Sequence, residues 1–148
     1  MISKKMKYAL KALMYIANHQ NTEGAVKTQA IADQAKIPKK FLEQILMDLK
    51  KAGILNSKQG NVGGFYFVRK PEKVTLADVH RVMDGAIALL PCASKNFYEP
   101  CEDCPNVDDC SIRYALIDVR DETLKVLEQK NIAELAQGIS LESANWMI

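Results

Sequence analysis

Apolar and polar positions alternate at helical spacing from the start of the chain. Ala9, Leu10, Leu13, Ile16 and Ala17 recur with a 3.6-residue period, while Lys4, Lys5, Lys7 and Lys11 fall on the other side, which predicts an amphipathic helix over residues 4–19. Asn21, Thr22 and Gly24 predict a turn. A short helix follows from Lys27 to Ala35, capped by Thr28. Ile37-Pro38 marks a break before a longer helix that carries Pro near its first turn and ends at Gly53. Two short helices separated by about three residues form the pattern of a helix-turn-helix.

In the second of these helices the two faces separate cleanly. Leu42, Ile45, Leu46 and Leu49 share the core side, and Lys40, Glu43, Gln44 and Met47 share the other at i, i+3, i+4 and i+7. Residues 54–69 then give two β-prone runs around Gly60-Asn61-Val62-Gly63-Gly64, which predicts a hairpin. A helix-turn-helix followed directly by such a hairpin is a winged helix.

The character changes after Pro71. Thr75-Leu76-Ala77-Asp78 begins a capped helix to about Asp84, with Leu76, Val79 and Met83 inward. Residues 86–110 hold no sustained period, contain every cysteine of the chain and form a loop of a length that is more often functional than incidental. From Ser111 to Lys130 runs the longest helix. Ile112, Leu116, Val119, Thr123 and Val126 keep a near-heptad register that Ile117, Leu124 and Leu127 widen. Such a stripe needs a partner surface, either a second copy of the chain or the first helix. The expected fold is mainly α with a small β-hairpin wing: a winged helix-turn-helix plus a long C-terminal dimerisation helix. The expected organisation is a DNA-binding unit over residues 1–84, a cysteine-bearing sensor loop over 85–110, and the dimerisation helix with a short following helix over 111–137. The tail 138–148, with Trp146 and Ile148, carries no readable pattern.

Charge sharpens this division. Residues 1–70 carry 13 Lys/Arg and 4 Asp/Glu, residues 71–148 carry 7 and 14, and the net charge of +2 conceals the split. A basic half suits a polyanion, because phosphates neutralised by Lys or Arg release counterions, whereas an acidic half is repelled. The composition, 48% hydrophobic and 26% charged, is that of a folded globular protein. Lys11 interrupts the N-terminal apolar stretch, so a signal peptide is not expected. No run approaches the ~18 apolar residues of a membrane span. The expected location is the cytoplasm, where thiols stay reduced and clustered cysteines point to metal or redox chemistry.

The candidate DNA contacts are Thr28, Lys39, Lys40, Phe41, Glu43 and Gln44, with Lys58, Gln59 and Asn61 on the wing. Lys39 and Lys40 reach phosphates or guanine O6/N7, Gln44 suits adenine N6/N7, and Glu43 accepts from cytosine N4 or pairs with Lys39 within the helix. Phe41 meets a thymine methyl or sugar, or belongs to the core. Lys58, Gln59 and Asn61 lie against the backbone or enter the minor groove.

The cysteines are Cys92, Cys101, Cys104 and Cys110, spaced C-x8-C-x2-C-x5-C. Thiolates are soft ligands that suit an iron–sulfur cluster, 2Fe-2S or 4Fe-4S, or zinc. A thiol switch between Cys101 and Cys104 is the other reading. An enzyme is not expected: the loop follows no βαβ pattern, and His19 and His80 read as surface or packing residues, which leaves a cluster-free protein-interaction adaptor as the alternative to a DNA-binding regulator.

Together, IPKKFLEQILMDLKKAGIL, the wing GNVGGFYFVRKP, the following VTLADVHRVMDG and the loop ending CPNVDDCSIR resemble the Rrf-two family over about residues 1–137. That family includes an iron–sulfur cluster regulator, a nitric oxide sensor and a regulator of cysteine metabolism. The resemblance implies a homodimer joined through the long helix that binds double-stranded DNA at a pseudo-palindromic promoter site, commonly as a repressor. It also implies that Cys92, Cys104 and Cys110 are cluster ligands, and that Glu43 and Gln44 sit at matching positions of the reading helix. Two departures stand out. Cys101 is extra and is inferred to replace a fourth ligand supplied elsewhere in relatives, with Asp108, Asp109 or a carboxylate elsewhere as a fallback, and Gln59 stands where close relatives carry a wing arginine.

Overall fold

The computed structural model describes residues 2–138, so the tail 139–148, including Trp146 and Ile148, lies outside the described residues. Six helices and one hairpin follow in chain order: α1 (Lys4–Glu23), α2 (Thr28–Ala35), α3 (Lys39–Lys51), β1 (Leu55–Lys58), β2 (Gly64–Phe67), α4 (Leu76–Met83), α5 (Ser111–Gln129) and α6 (Ile132–Gln137). The first part is a winged helix-turn-helix, and α5 and α6 complete the mainly helical fold.

The core is built by the predicted apolar stripes. Ala9, Leu13 and Ile16 of α1 pack with Ile31 of α2, Leu42, Ile45, Leu46 and Leu49 of α3, and Val79 of α4, all fully buried. Ser3 caps α1 by accepting from Met6 N. The helix runs four residues beyond the expected end, over Asn21 and Thr22, and stops at Gly24, whose φ of 74° only glycine adopts cheaply. Thr28 is not the cap of α2: Lys27 takes that position, and no side chain accepts from the first turn. The break before α3 comes from Lys36 in the left-handed region at φ 54° followed by Ile37-Pro38.

The hairpin pairs Leu55 with Phe67 and Lys58 with Gly64. Its inner end is fixed to the segment between α1 and α2, where Val26 and Phe65 exchange both backbone hydrogen bonds at 2.8 Å. Gly64 makes this approach possible. A Cβ there would lie 2.2 Å from the Val26 carbonyl oxygen, far inside contact distance.

Thr75 and Asp78 form the expected capping box on α4. Val79 and Met83 face inward as expected, while Leu76 is only half-buried. After the cysteine loop, α5 packs on α4 and on the 3-10 turn Pro91–Ala93. The chain then returns to the core beside the start of α4, where Ile132 N donates to Val74 O and Leu76 N donates to Lys130 O. Helix α6, anchored by the fully buried Ile132, covers α1. The surface of α1 is therefore covered by α6, not by the long helix.

Candidate DNA interface and cysteine site

Helix α3 owes its position to Leu42, Ile45, Leu46 and Leu49, which are wholly removed from solvent. Burying four large side chains on one stripe fixes the rotation of the helix, at about 1.5–3 kcal/mol for each. Lys39, Lys40, Phe41, Glu43, Gln44 and Met47 are consequently exposed, and Met47 is 44% exposed despite being apolar. Glu43 makes no ion pair with Lys39 among the described residues. Gln44 is held at its far end, where Nε2 donates to Asp48 Oδ1 at 3.0 Å.

Phe41 resolves into an intermediate role. It is 39% exposed, and its ring meets Tyr8 of α1 edge-on at 5.8 Å between centroids. Asp48 is the second link to α1, because Lys5 Nζ lies 2.8 Å from its Oδ2. Hydrogen bonding to Lys5 holds the Asp48 carboxyl below its ordinary value. Partial burial opposes that shift, and Gln44 adds to it. The sequence placed Lys5 with the solvent-facing lysines, whereas it turns to α3, and left Asp48 unnamed although it stands four residues from Gln44 on the same helix.

On the wing, Lys58 ends β1, and its Nζ sits 5.2 Å from the Tyr66 ring centroid. Gln59 and Asn61 are exposed at the tip, beside Val62. The hairpin is braced against α3 by Lys50, whose Nζ donates to Ser57 Oγ at 2.6 Å. Thr28 is half-buried at the start of α2. The exposed candidates thus fall on one helix face and one hairpin tip.

The loop brings Cys101 and Cys104 together with Asp103, while Cys92 and Cys110 lie outside that group. Cys92 is buried in the Pro91–Ala93 turn, and the other three are half-buried. Hydrogen bonding to the Cys92 thiol, then desolvation, then Cys104 push the Cys101 thiol up to about 12. The Cys104 thiol is raised chiefly by desolvation, with Cys110 adding to the rise and a hydrogen bond from Cys101 opposing it. Cys92 therefore acts on Cys101, and Cys110 on Cys104. Thiols crowded in this way resist deprotonation unless a cation compensates. Cys101, Asp103 and Cys104 place one ligand atom each within 4.8 Å of one another, a spacing suited to a common metal centre.

The sequence left room for a further carboxylate without naming Asp103. Of the expected fallback carboxylates, Asp109 is instead engaged by Asn106 Nδ2 at 2.6 Å. The buried end of the site is clamped from α5, where Arg113 Nε donates to Cys92 O at 3.0 Å and Arg120 Nη1 donates to Ala93 O. His19 stacks on Tyr15, and His80 lies on α4, so neither joins the cysteines.

Helix α5 has two faces. Ile117, Leu124 and Leu127 are half-buried, whereas Ile112, Val119 and Val126 are 65%, 46% and 53% exposed. Beside the second face, the end of α4 and the segment Ala86–Leu89 line an open groove of about 550 Å³. No described helix is long and apolar enough to cross a membrane.

Comparison with known proteins agrees with this architecture. An HTH-type transcriptional regulator described as Rrf2-like, from Rhodobacter capsulatus, is 38% identical over 137 residues, covering 91% of each chain. The structure of CymR, the global cysteine regulator of Bacillus subtilis, superposes with a TM-score of 0.75 at 27% identity, covering 95% of this chain and 98% of that one. The fold of T. potens IscR is similar too, with a TM-score of 0.71 at 24% identity over 99% of this chain and 93% of that one. The model of the Rrf2 family, described as iron-dependent transcriptional regulators, matches residues 2–138. The chain belongs to the Rrf2 family of winged-helix, DNA-binding transcriptional regulators, a family of non-enzymes.

Proposed function

We propose that the protein is a homodimeric repressor of the cytoplasm that reads a pseudo-palindromic promoter site and is governed by an iron–sulfur cluster held in its cysteine loop. Residues 1–84 bind the duplex, 85–110 sense, and 111–137 join the two copies. The observation that carries the reading is the pairing, in one chain, of an exposed, lysine-bearing α3 face with a cysteine loop in which Cys101, Asp103 and Cys104 converge within 4.8 Å.

In this reading α3 lies in the major groove. Lys39 and Lys40 meet phosphate or guanine, Glu43 and Gln44 read base edges, and Phe41 packs against a sugar or methyl group. Thr28 at the start of α2 and Lys58, Gln59 and Asn61 on the wing contact the flanking backbone. The exposed face of α5 pairs with its counterpart in a second copy.

Cys92, Cys101, Cys104 and Cys110 would hold the cluster, which when bound supplies sensitivity to redox state, to iron–sulfur status or to nitric oxide. Arg113 and Arg120 tie the Cys92 end of the loop to α5. Rearrangement of residues 92–110 therefore shifts α5 against α4. The two recognition helices must stand about one helical turn, ~34–36 Å, apart, so a small shift alters affinity.

Protein purified without oxygen is expected to contain iron and acid-labile sulfide, and to retard a duplex carrying its own promoter. Preparations free of iron, sulfide and visible absorption at every stage overturn the cluster. Stoichiometric zinc, or a Cys101–Cys104 disulfide that changes DNA affinity, would take its place.

A further inference from the structure

Beyond α3 and the wing, we infer that the first turns of α1 form a second phosphate-binding surface, with Lys4, Lys7 and Lys11 lying along one strand of the same duplex. The inference rests on the DNA reading proposed above. Lys4, Lys7 and Lys11 stand at i, i+3 and i+7, so they share one face of the helix. All three are exposed. Among the described residues no carboxylate pairs with them, and α1 carries no acid before Glu23.

This placement works against the isolated helix. The N-terminal end of a helix is the positive end of its dipole; Asp84 meets it by accepting from Ser3 N and Ser3 Oγ, and the three lysines still add positive charge to that end, which a further anion would offset. The ridge is also continuous with the proposed reading helix. Lys4 Nζ lies 5.7 Å from the Tyr8 ring centroid, and Tyr8 in turn meets Phe41 of α3. Lys5, the remaining lysine of these turns, faces inward to Asp48 and fixes α1 against α3. From Lys4 to Lys11 the helix rises ~10 Å, enough to follow about three phosphates of one strand. A rigid row of unpaired cations bordering the groove-reading face suits the backbone of a duplex, and the contact carries no sequence preference.

The test compares wild type with Lys4→Gln/Lys7→Gln/Lys11→Gln by fluorescence anisotropy in a potassium chloride series, using the protein's own promoter duplex and a random-sequence duplex. The variant is expected to weaken binding to both duplexes by a similar factor and to lower the slope of log affinity against log salt by roughly 1–3. Its thermal midpoint should stay level or rise, because the charges removed oppose the helix dipole. An unchanged slope, with wild type binding in a salt-dependent way, overturns the α1 surface and leaves the DNA reading standing. Wild type that binds neither duplex overturns both.

Discussion

Lys5 on α1 and Asp48 on α3 lie 2.8 Å apart, and the same carboxylate accepts from Gln44 through its other oxygen. One ion pair thus joins the first helix to the residue proposed to read a base. Its two side chains are 31% and 20% exposed, so its value to stability is modest, about 0.5–1 kcal/mol. Lys5→Met is expected to cost this amount at neutral pH. Because the folded-state pKa of Asp48 is depressed, the contribution is present above its ordinary value of 3.8 and is lost as pH falls below it. Urea unfolding at pH 7 and again near the acid transition should show the wild-type advantage closing. The same substitution frees the Asp48 carboxylate that holds Gln44 Nε2, so discrimination at one base should fall while overall affinity changes less, a split readable by competition between promoter variants.

Gly64 gives the wing its place. With φ at 149° and a Cβ position 2.2 Å from Val26 O, Gly64→Ala must break the paired hydrogen bonds between Val26 and Phe65 or move the hairpin. The expected cost is about 2–4 kcal/mol, the range of a backbone clash at a buried bridge, seen as a lower urea midpoint. Gly60, whose Cβ meets nothing within 4 Å at φ 101°, should cost about 1 kcal/mol as alanine. Equal losses at the two positions would mean that the wing is not held through Val26.

How far the sequence revealed this molecule depends on whether a feature is periodic. The stripes of α1, α3 and α4 were readable because one buried face imposes a 3.6-residue repeat, and Thr75 with Asp78 was readable because a capping box has fixed spacing. Thr28 misled as a cap: a threonine at the start of a helix serves at the cap position or one residue inside it, and the backbone of Lys27 decides the matter here. The end of α1 misled for a similar reason, since Asn21 and Thr22 favour a turn locally but follow the preceding helix until Gly24. The nearness of Cys101 and Cys104 was legible from their C-x2-C spacing. Asp103, Arg113 and Arg120 were not, because each acts through a contact that only the folded loop creates. The tie from Lys5 to Asp48 was hidden in the same way, being distant in sequence and off the apolar pattern.

The exposed side of α5 supports a prediction of assembly. Ile112, Val119 and Val126 follow one another at seven-residue intervals, and each is at least 46% exposed, a seam of the kind that helix pairs bury. Val119→Glu/Val126→Glu is expected to convert a dimer into a monomer in sedimentation and to weaken binding to a two-half-site duplex by 10-fold or more. Folding should survive, because α5 contributes nothing to the buried core. A Leu127→Glu change on the half-buried face is expected instead to lower thermal stability. A double variant that sediments as wild type would place the subunit contact elsewhere.

The last prediction separates the possible ligands of the cysteine site. Cys101 is flanked by both Cys92 and Cys104, while Asp103 brings a carboxylate to within 4.8 Å of the Cys101 and Cys104 sulfurs. Soft thiolates outcompete oxygen for iron–sulfur clusters, so Cys101→Ser should reduce iron and sulfide per chain severely, and Asp103→Asn should leave both near wild type. Asp108→Asn and Asp109→Asn should resemble Asp103→Asn, because the Asp109 carboxylate is taken up by Asn106. The winged helix does not depend on these loop positions, of which only Cys101 is half-buried, so far-UV circular dichroism should be the same for all four variants. Full iron in Cys101→Ser together with loss in Asp103→Asn would assign the fourth position to the carboxylate, and the fourth thiol would then remain free to exchange with Cys104.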